Sequence, residues 1–253
     1  MSLRHDVCGI TMNTDAPDAN GVIWTVRKLN DWTSPSHIQE IGDLVGRAGG
    51  SLLTERHGVH APSLEGLAIA EDLDSAWAAF NQLNRMPGLG AVGDLVVYEG
   101  APKLLRVRQG DQPKASAPHP HNGGWAIDYM LTFVALDPYK RGVTLHTQAI
   151  PAGGTVSATS AGNVPALLSL KATGAGTVIV RQNGSGQTLR TRSSVASGTT
   201  FDAAERRVTT AGGADIFPMG APSEWLSIPA ESTVTLTNLG TAPVSATWYD
   251  LYA

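Results

Sequence analysis

A chain of 253 residues with 42% hydrophobic but only 16% charged side chains, and with 28 glycines and 15 prolines, favours strands and tight turns over helical bundles; it has length for two modest domains or one large β domain, and two is the better reading. A formal net charge of −4 lacks the basic excess of proteins that grip phosphate backbones, which argues against sequence-specific nucleic acid as a ligand. The single cysteine, Cys8, cannot make an internal disulfide and fits synthesis in a reducing cytoplasm, and no apolar run has the length of a signal peptide or membrane span, so a soluble protein without a membrane partner is expected.

Within VIWTVRKLNDW, residues 22–32, Val22, Trp24 and Val26 alternate and predict a half-buried strand that TSPSH ends. The glycine- and charge-rich stretch GRAGGSLLTERHGVHAPSLEG, residues 46–66, reads as one short strand flanked by long loops. From Asp72 the period changes. Leu73, Trp77, Phe80 and Leu83 recur at helical spacing and predict a helix over about 72–86, capped by Asp72 or Asp74 and stopped by MPGLG at Pro87 and Gly88. GDLVVYEGAPKLLRVRQG then predicts a hairpin from Leu95 to Arg108, turning in EGAP.

DQPKASAPHPHNGG reads as a loop before the longest strand, WAIDYMLTFVAL. One face of that strand carries Trp125, Ile127, Tyr129, Leu131 and Phe133, and the other mixes Asp128 and Thr132 with Met130 and Val134, as expected of a central strand. DPYKRG, residues 137–142, marks a boundary between domains at 1–140 and 141–253. Beyond it small residues prevail, and the alternating runs ALLSLKA, GTVIVRQ, STVTLTN and APVSATWYDLY predict a β-sandwich.

Candidate chemistry is sparse. His119 and His121 in APHPHNGG have the His-x-His spacing of two zinc ligands, but spacing supplies no third, and the flanking prolines read as a rigid solvated loop. His57 and His60 in ERHGVHAP lack the helical context of HExxH and read as surface histidines of a loop. No serine stands in a GxSxG elbow, and Cys8 carries no signature of a nucleophile. GRAGG and ATGAGT lack the endings of phosphate or dinucleotide loops and read as bends and bulges. Trp225 and Trp248 are candidates for stacking on a sugar, weighed against the core positions where tryptophan is more often found.

FDAAERRVTT, residues 201–210, gathers Asp202, Glu205, Arg206 and Arg207, a set able to act as acid, base and anion clamp. The same residues also spell a hairpin, with Phe201 facing a core, Asp202 accepting backbone N–H groups in an Asx-type turn, and RRVTT entering a strand before the turn AGG. The hairpin is the better reading. No catalytic, cofactor-binding or metal-binding set emerges, so neither an enzyme nor a cofactor is expected.

The order of the pieces carries a resemblance. FVALDPYKRG ends the long strand at the domain junction; Asp202, Arg206, Arg207, Val208 and Gly212 then form an aspartate, a basic strand entry and a glycine turn; Trp225, Leu226, Ile228 and Pro229 step into a strand; Trp248, Tyr249 and Tyr252 make an aromatic C-terminal strand. Over nearly its whole length the chain resembles the distal tail proteins, the Dit family, of siphophages. The resemblance implies a mainly β protein, with an N-terminal ring-forming β domain carrying one packed helix and a C-terminal galectin-like β-sandwich. It also implies a hexameric ring at the distal end of a phage tail, between the tail tube and the tip or baseplate proteins, with DNA passing through the lumen. The alternative is a carbohydrate-binding module used in host adhesion, and a hydrolase of cell-wall glycans ranks third.

Overall fold

The computed structural model describes residues 3–33, 37–43, 50–86, 88, 90–221 and 223–253, with the backbone only for 37–43 and 50–57. The chain divides into two compact units, Met1–Lys140 and Arg141–Tyr252.

The first unit holds β1 (His5–Val7), β2 (Ile10–Met12), β3 (Val22–Asn30), β4 (His37–Asp43), β5 (Gly50–His57), β6 (Ser63–Ala70), α1 (Leu73–Leu83), β7 (Gly93–Glu99), β8 (Ala101–Gln109), β9 (Lys114–Ala115), β10 (His119–His121) and β11 (Gly124–Ala135). Its main sheet runs β2-β1-β7-β8-β11-β6-β3. The alternation of β11 explains its place between β8 and β6: Ile127, Tyr129, Leu131 and Phe133 are buried while Asp128 is exposed. These side chains join Trp24, Leu64, Leu95 and Leu105 in one core. Tyr129 meets Trp24 edge to face at 6.2 Å and donates its hydroxyl to the Thr25 carbonyl at 2.9 Å. That crossing passes over Gly66, where a Cβ would lie 2.1 Å from the Thr25 oxygen and 2.4 Å from the Tyr129 hydroxyl; only glycine lets the three strands meet there.

Asn13 brings the two ends of this sheet together. Its amide N–H donates to the Trp24 carbonyl at 2.8 Å, its Oδ1 accepts from the Val26 amide at 2.7 Å, and its Nδ2 donates to the Leu3 carbonyl at 2.7 Å. The residue is left-handed, with φ 59°, a conformation that asparagine tolerates better than most L-residues. The first residue beyond β2 thus ties the β1–β2 edge to β3.

The helix is shorter than the spacing predicts and is turned on its axis. Asp72 caps it, its carboxylate accepting from the Ser75 amide at 2.7 Å. It ends at Leu83, where the Asn84 side chain donates to the Phe80 carbonyl at 3.0 Å. The buried stripe is Ala76, Ala79 and Leu83, with Phe80 packed beside it; Leu73 and Trp77, expected on the inner face, are exposed. Alanines allow the helix to lie close against the strands, and Leu73 and Trp77, the N-terminal half of the predicted stripe, turn toward solvent.

Two other expectations change. The stretch 46–66 contains two strands where one was read, because β5 and part of β6 both fall within it; β5 pairs with β4 from His37↔His57 to Asp43↔Gly50. The supposed loop 111–124 contributes β9 and β10, both paired to β11. The predicted β7–β8 hairpin forms as read, pairing Glu99 with Ala101 so that it turns within EGAP on Gly100, at φ 83°.

The second unit continues with β12 (Lys140–Gly142), β13 (His146–Ile150), β14 (Thr155–Ser160), β15 (Ala166–Leu167), β16 (Ser169–Ala172), β17 (Ile179–Asn183), β18 (Thr188–Arg190), β19 (Thr200–Asp202), β20 (Arg207–Thr209), β21 (Ser227–Ile228), β22 (Ser232–Asn238), β23 (Val244–Trp248) and β24 (Leu251–Tyr252). One sheet runs β13-β23-β16-β19-β20 and another β14-β22-β17-β18. Ile150, Leu170, Phe201 and Ala246 from the first sheet share a core with Ala158, Val180, Leu189 and Leu236 from the second. Two sheets closed over one apolar layer form a β-sandwich, and the alternation of STVTLTN shows how: Val234 and Leu236 are buried between partly exposed threonines. The protein is therefore mainly β, and α1 is the one helix among the described residues.

Candidate functional site

The acid–base candidate, FDAAERRV, is a hairpin. Phe201 is fully buried, and β19 pairs with β20 through Phe201↔Val208 and Asp202↔Arg207. Asp202 Oδ1 accepts from the Ala204 and Glu205 amides at 2.9 and 3.2 Å, and Arg206 takes the left-handed position at φ 50°. Arg207 donates to Asp215 and lies 3.6 Å from Glu205. Asp202, Glu205 and Arg207 are thus engaged in forming or clasping the turn.

The histidines separate. His119 and His121 sit in strand β10 rather than a free loop, and His119 Nε2 lies 3.6 Å from Asp128 Oδ2, whose other oxygen accepts from Arg27 at 3.2 Å. The side chain of His57 lies outside the described residues. His60 is buried, not a surface group, with Nδ1 3.2 Å from the Pro138 carbonyl and Nε2 against the Asp31 carbonyl. Among the described residues no group of three or more His, Cys, Asp or Glu is placed to hold a metal ion.

Cys8 is half-buried, and burial, reinforced by Asp94, pushes its thiol up to about 11, far from a thiolate at neutral pH. Trp248 is buried, with its indole N–H donating to the Thr159 carbonyl at 2.9 Å and His146 stacked on it at 5.3 Å. Trp225 is partly buried against the same core. Trp248 therefore presents no free ring face of the kind a sugar platform requires.

What remains is surface. On the first unit an open cleft of about 750 Å³ is lined by Arg27, Glu65, Asn84, Lys114, Asp128 and Tyr129. The Arg27–Asp128 pair lies in it at 3.2 Å, and Glu65 is 3.8 Å from Lys28, so its charges are mostly matched. The β4–β5 ribbon pairs with no other strand among the described residues. A two-stranded ribbon alone is marginal in water, and its unpaired edges are templates for strand addition. On α1, Trp77 is 44% exposed and meets Phe80 edge to face at 5.4 Å. Sequence periodicity could not reveal this exposure, since an exposed tryptophan at helical spacing looks like a buried one.

No family model and no curated protein sequence matches the chain. Solved structures do. The crystal structure of the SPP1 Dit (gp 19.1) protein, described as a paradigm of the hub adsorption apparatus in Gram-positive infecting phages, matches with a TM-score of 0.71 at 15% identity, covering 100% of both chains. The chain has the fold of a phage distal tail protein. The phage P2 baseplate in its activated conformation with Ca is similar more loosely, with a TM-score of 0.50 at 11% identity over 98% of both chains. The distal tail fold thus spans both units, in agreement with the resemblance carried by the order of the sequence motifs.

Proposed function

We propose that this chain is a structural virion protein, the distal tail hub that joins the tail tube of a phage to its tip or baseplate. The observation that carries the reading is the end-to-end fold match to a hub protein, in which neither chain has an unmatched portion. In this reading residues 1–140 form the ring and residues 141–253 form an outward galectin-like sandwich. Six copies close head to tail, which matches the symmetry of a tube and leaves a lumen. The unpaired β4–β5 ribbon and the exposed face of α1 supply contact surface, and each contact buries on the order of 2,000 Å² or more, as obligate interfaces do. A charge of −4 per copy disfavours adhesion to DNA passing through. The protein acts by assembly, without catalysis or cofactor, at the distal end of the tail.

Multi-angle light scattering and negative-stain imaging, with and without purified tail-tip protein, test the ring, and gold-labelled antibody on virions tests the location. Six-fold rings and label at the tail end are expected. A strictly monomeric protein under both conditions, with tryptophan fluorescence that shifts on saccharide addition, refutes the hub and favours the carbohydrate-binding alternative.

A further inference from the structure

Phe217 is 94% exposed, more than any other large hydrophobic residue among those described, yet the chain around it is tied down. The Ile216 amide donates to the Val208 carbonyl at 2.9 Å. On the other side the Arg192 amide donates to the Pro218 carbonyl at 2.7 Å, and the Gly220 and Glu224 amides donate to the Arg190 and Thr188 carbonyls at 2.9 Å each. Ile216 and Met219 pack on the core of the second unit. The segment after Phe217 therefore lies along β18 and its extension with its inward residues anchored, and Phe217 projects between them. An aromatic residue on an anchored backbone loses less conformational freedom when a partner buries it than one on a free loop.

Two cations accompany it. Arg190 and Arg192 are exposed, and their stems lie over Gly220, where a Cβ would come within 3.0 Å of Arg190 Cγ and 3.5 Å of Arg192 Cγ. Neither guanidinium makes an ion pair among the described residues, whereas Asp215 and Glu205, the carboxylates flanking the same loop, are both engaged by Arg207. Glu224, exposed on the same segment, is the one further carboxylate there, so two guanidiniums face a single carboxylate and the surface beside the ring keeps a net positive charge. Aromatic and arginine side chains are the types concentrated at the energetic centres of protein interfaces, and a free guanidinium takes carboxylates in two parallel hydrogen bonds.

We propose that Phe217, with Arg190 and Arg192, is a docking surface for a second protein that offers an apolar pocket rimmed by carboxylates. The choice of probes rests on the hub reading. The test uses the full chain, the variant Phe217→Ser, and the double variant Arg190→Glu/Arg192→Glu. Each is measured by biolayer interferometry against purified tail-tip protein and purified tail-tube protein of the same virion, against vesicles of phosphatidylglycerol, and for self-association by ultracentrifugation. Phe217→Ser should weaken binding to one of the two proteins at least tenfold, with melting temperature unchanged, and the double variant should do the same with a flatter salt dependence. Binding equal to that of the unmodified chain in both variants overturns the proposal. So does Phe217 dependence seen only on vesicles or only in self-association, and so does failure of the unmodified chain to bind either protein. Ring formation in negative stain, which does not require this surface, reports separately on the hub reading.

Discussion

Replacing Asn13 by alanine removes the side chain that joins the ends of the first unit's sheet. The loss has three parts. The Val26 amide loses its 2.7 Å acceptor and the Leu3 carbonyl its 2.7 Å donor, each net hydrogen bond being worth about 1 kcal/mol and a stranded, partly buried amide somewhat more. The backbone at φ 59° must then be held by a residue that pays roughly 1 kcal/mol to be left-handed. Together the expected destabilisation is about 3 kcal/mol, which for a unit of this size lowers the melting temperature by roughly 10 °C. Differential scanning calorimetry of the full chain should show the transition of the first unit moving while that of the second stays in place. Asn13→Gly, which accepts the backbone angle but lacks the side chain, should recover only about 1 kcal/mol. Amide exchange should show Val26 deprotected in both variants. A shift under about 2 °C for Asn13→Ala, or full recovery by Asn13→Gly, would refute the view that the side-chain hydrogen bonds hold the two edges together.

Burial holds the His5 imidazole below its ordinary value, partly opposed by hydrogen bonding to Leu3 and by Glu99 and Asp6; the unfolded chain then binds the extra proton first, so melting temperature should fall as pH drops through and below about 6.5, and His5→Gln should flatten that dependence in a thermal scan from pH 7.5 to 5. Gly66→Ala, with a Cβ 2.1 Å from a backbone oxygen, should cost more than about 2 kcal/mol or prevent folding, measured by urea unfolding, whereas Tyr129→Phe, which loses the 2.9 Å bond to Thr25 and a weak 3.4 Å contact with Met12 Sδ, should cost about 1 kcal/mol. Asp202→Ala should lower the stability of the second unit by about 1 kcal/mol through its two turn hydrogen bonds, and loss of a glycan-cleaving activity at unchanged melting temperature would contradict the scaffold reading. A fragment beginning near Val143 should fold alone, because Phe201, Leu236 and their neighbours form a core of their own; a coil-like circular dichroism spectrum would show otherwise.

Periodicity along the chain was enough to place β3, β11, the β7–β8 hairpin and the runs of the second unit, because strand alternation records which face is buried without reference to the partner strand. The Asx turn at Asp202 was legible for a similar reason: its hydrogen bonds close within three residues. Three things lay beyond the sequence. Leu73, Trp77, Phe80 and Leu83 define a helical stripe, but only contact with the strands decides that Ala76 and Ala79 face inward, since a close approach rewards small side chains as much as apolar ones. His60 sits in a polar stretch, and its burial depends on the carbonyls of Asp31 and Pro138, distant in sequence. The role of Asn13 and the projection of Phe217 are likewise set by residues brought near by folding, Val26 and Leu3 for one and Val208 and Arg192 for the other. Local chemistry is written in neighbouring residues, whereas closure of a sheet and exposure of a ring depend on which distant segments come to lie beside them.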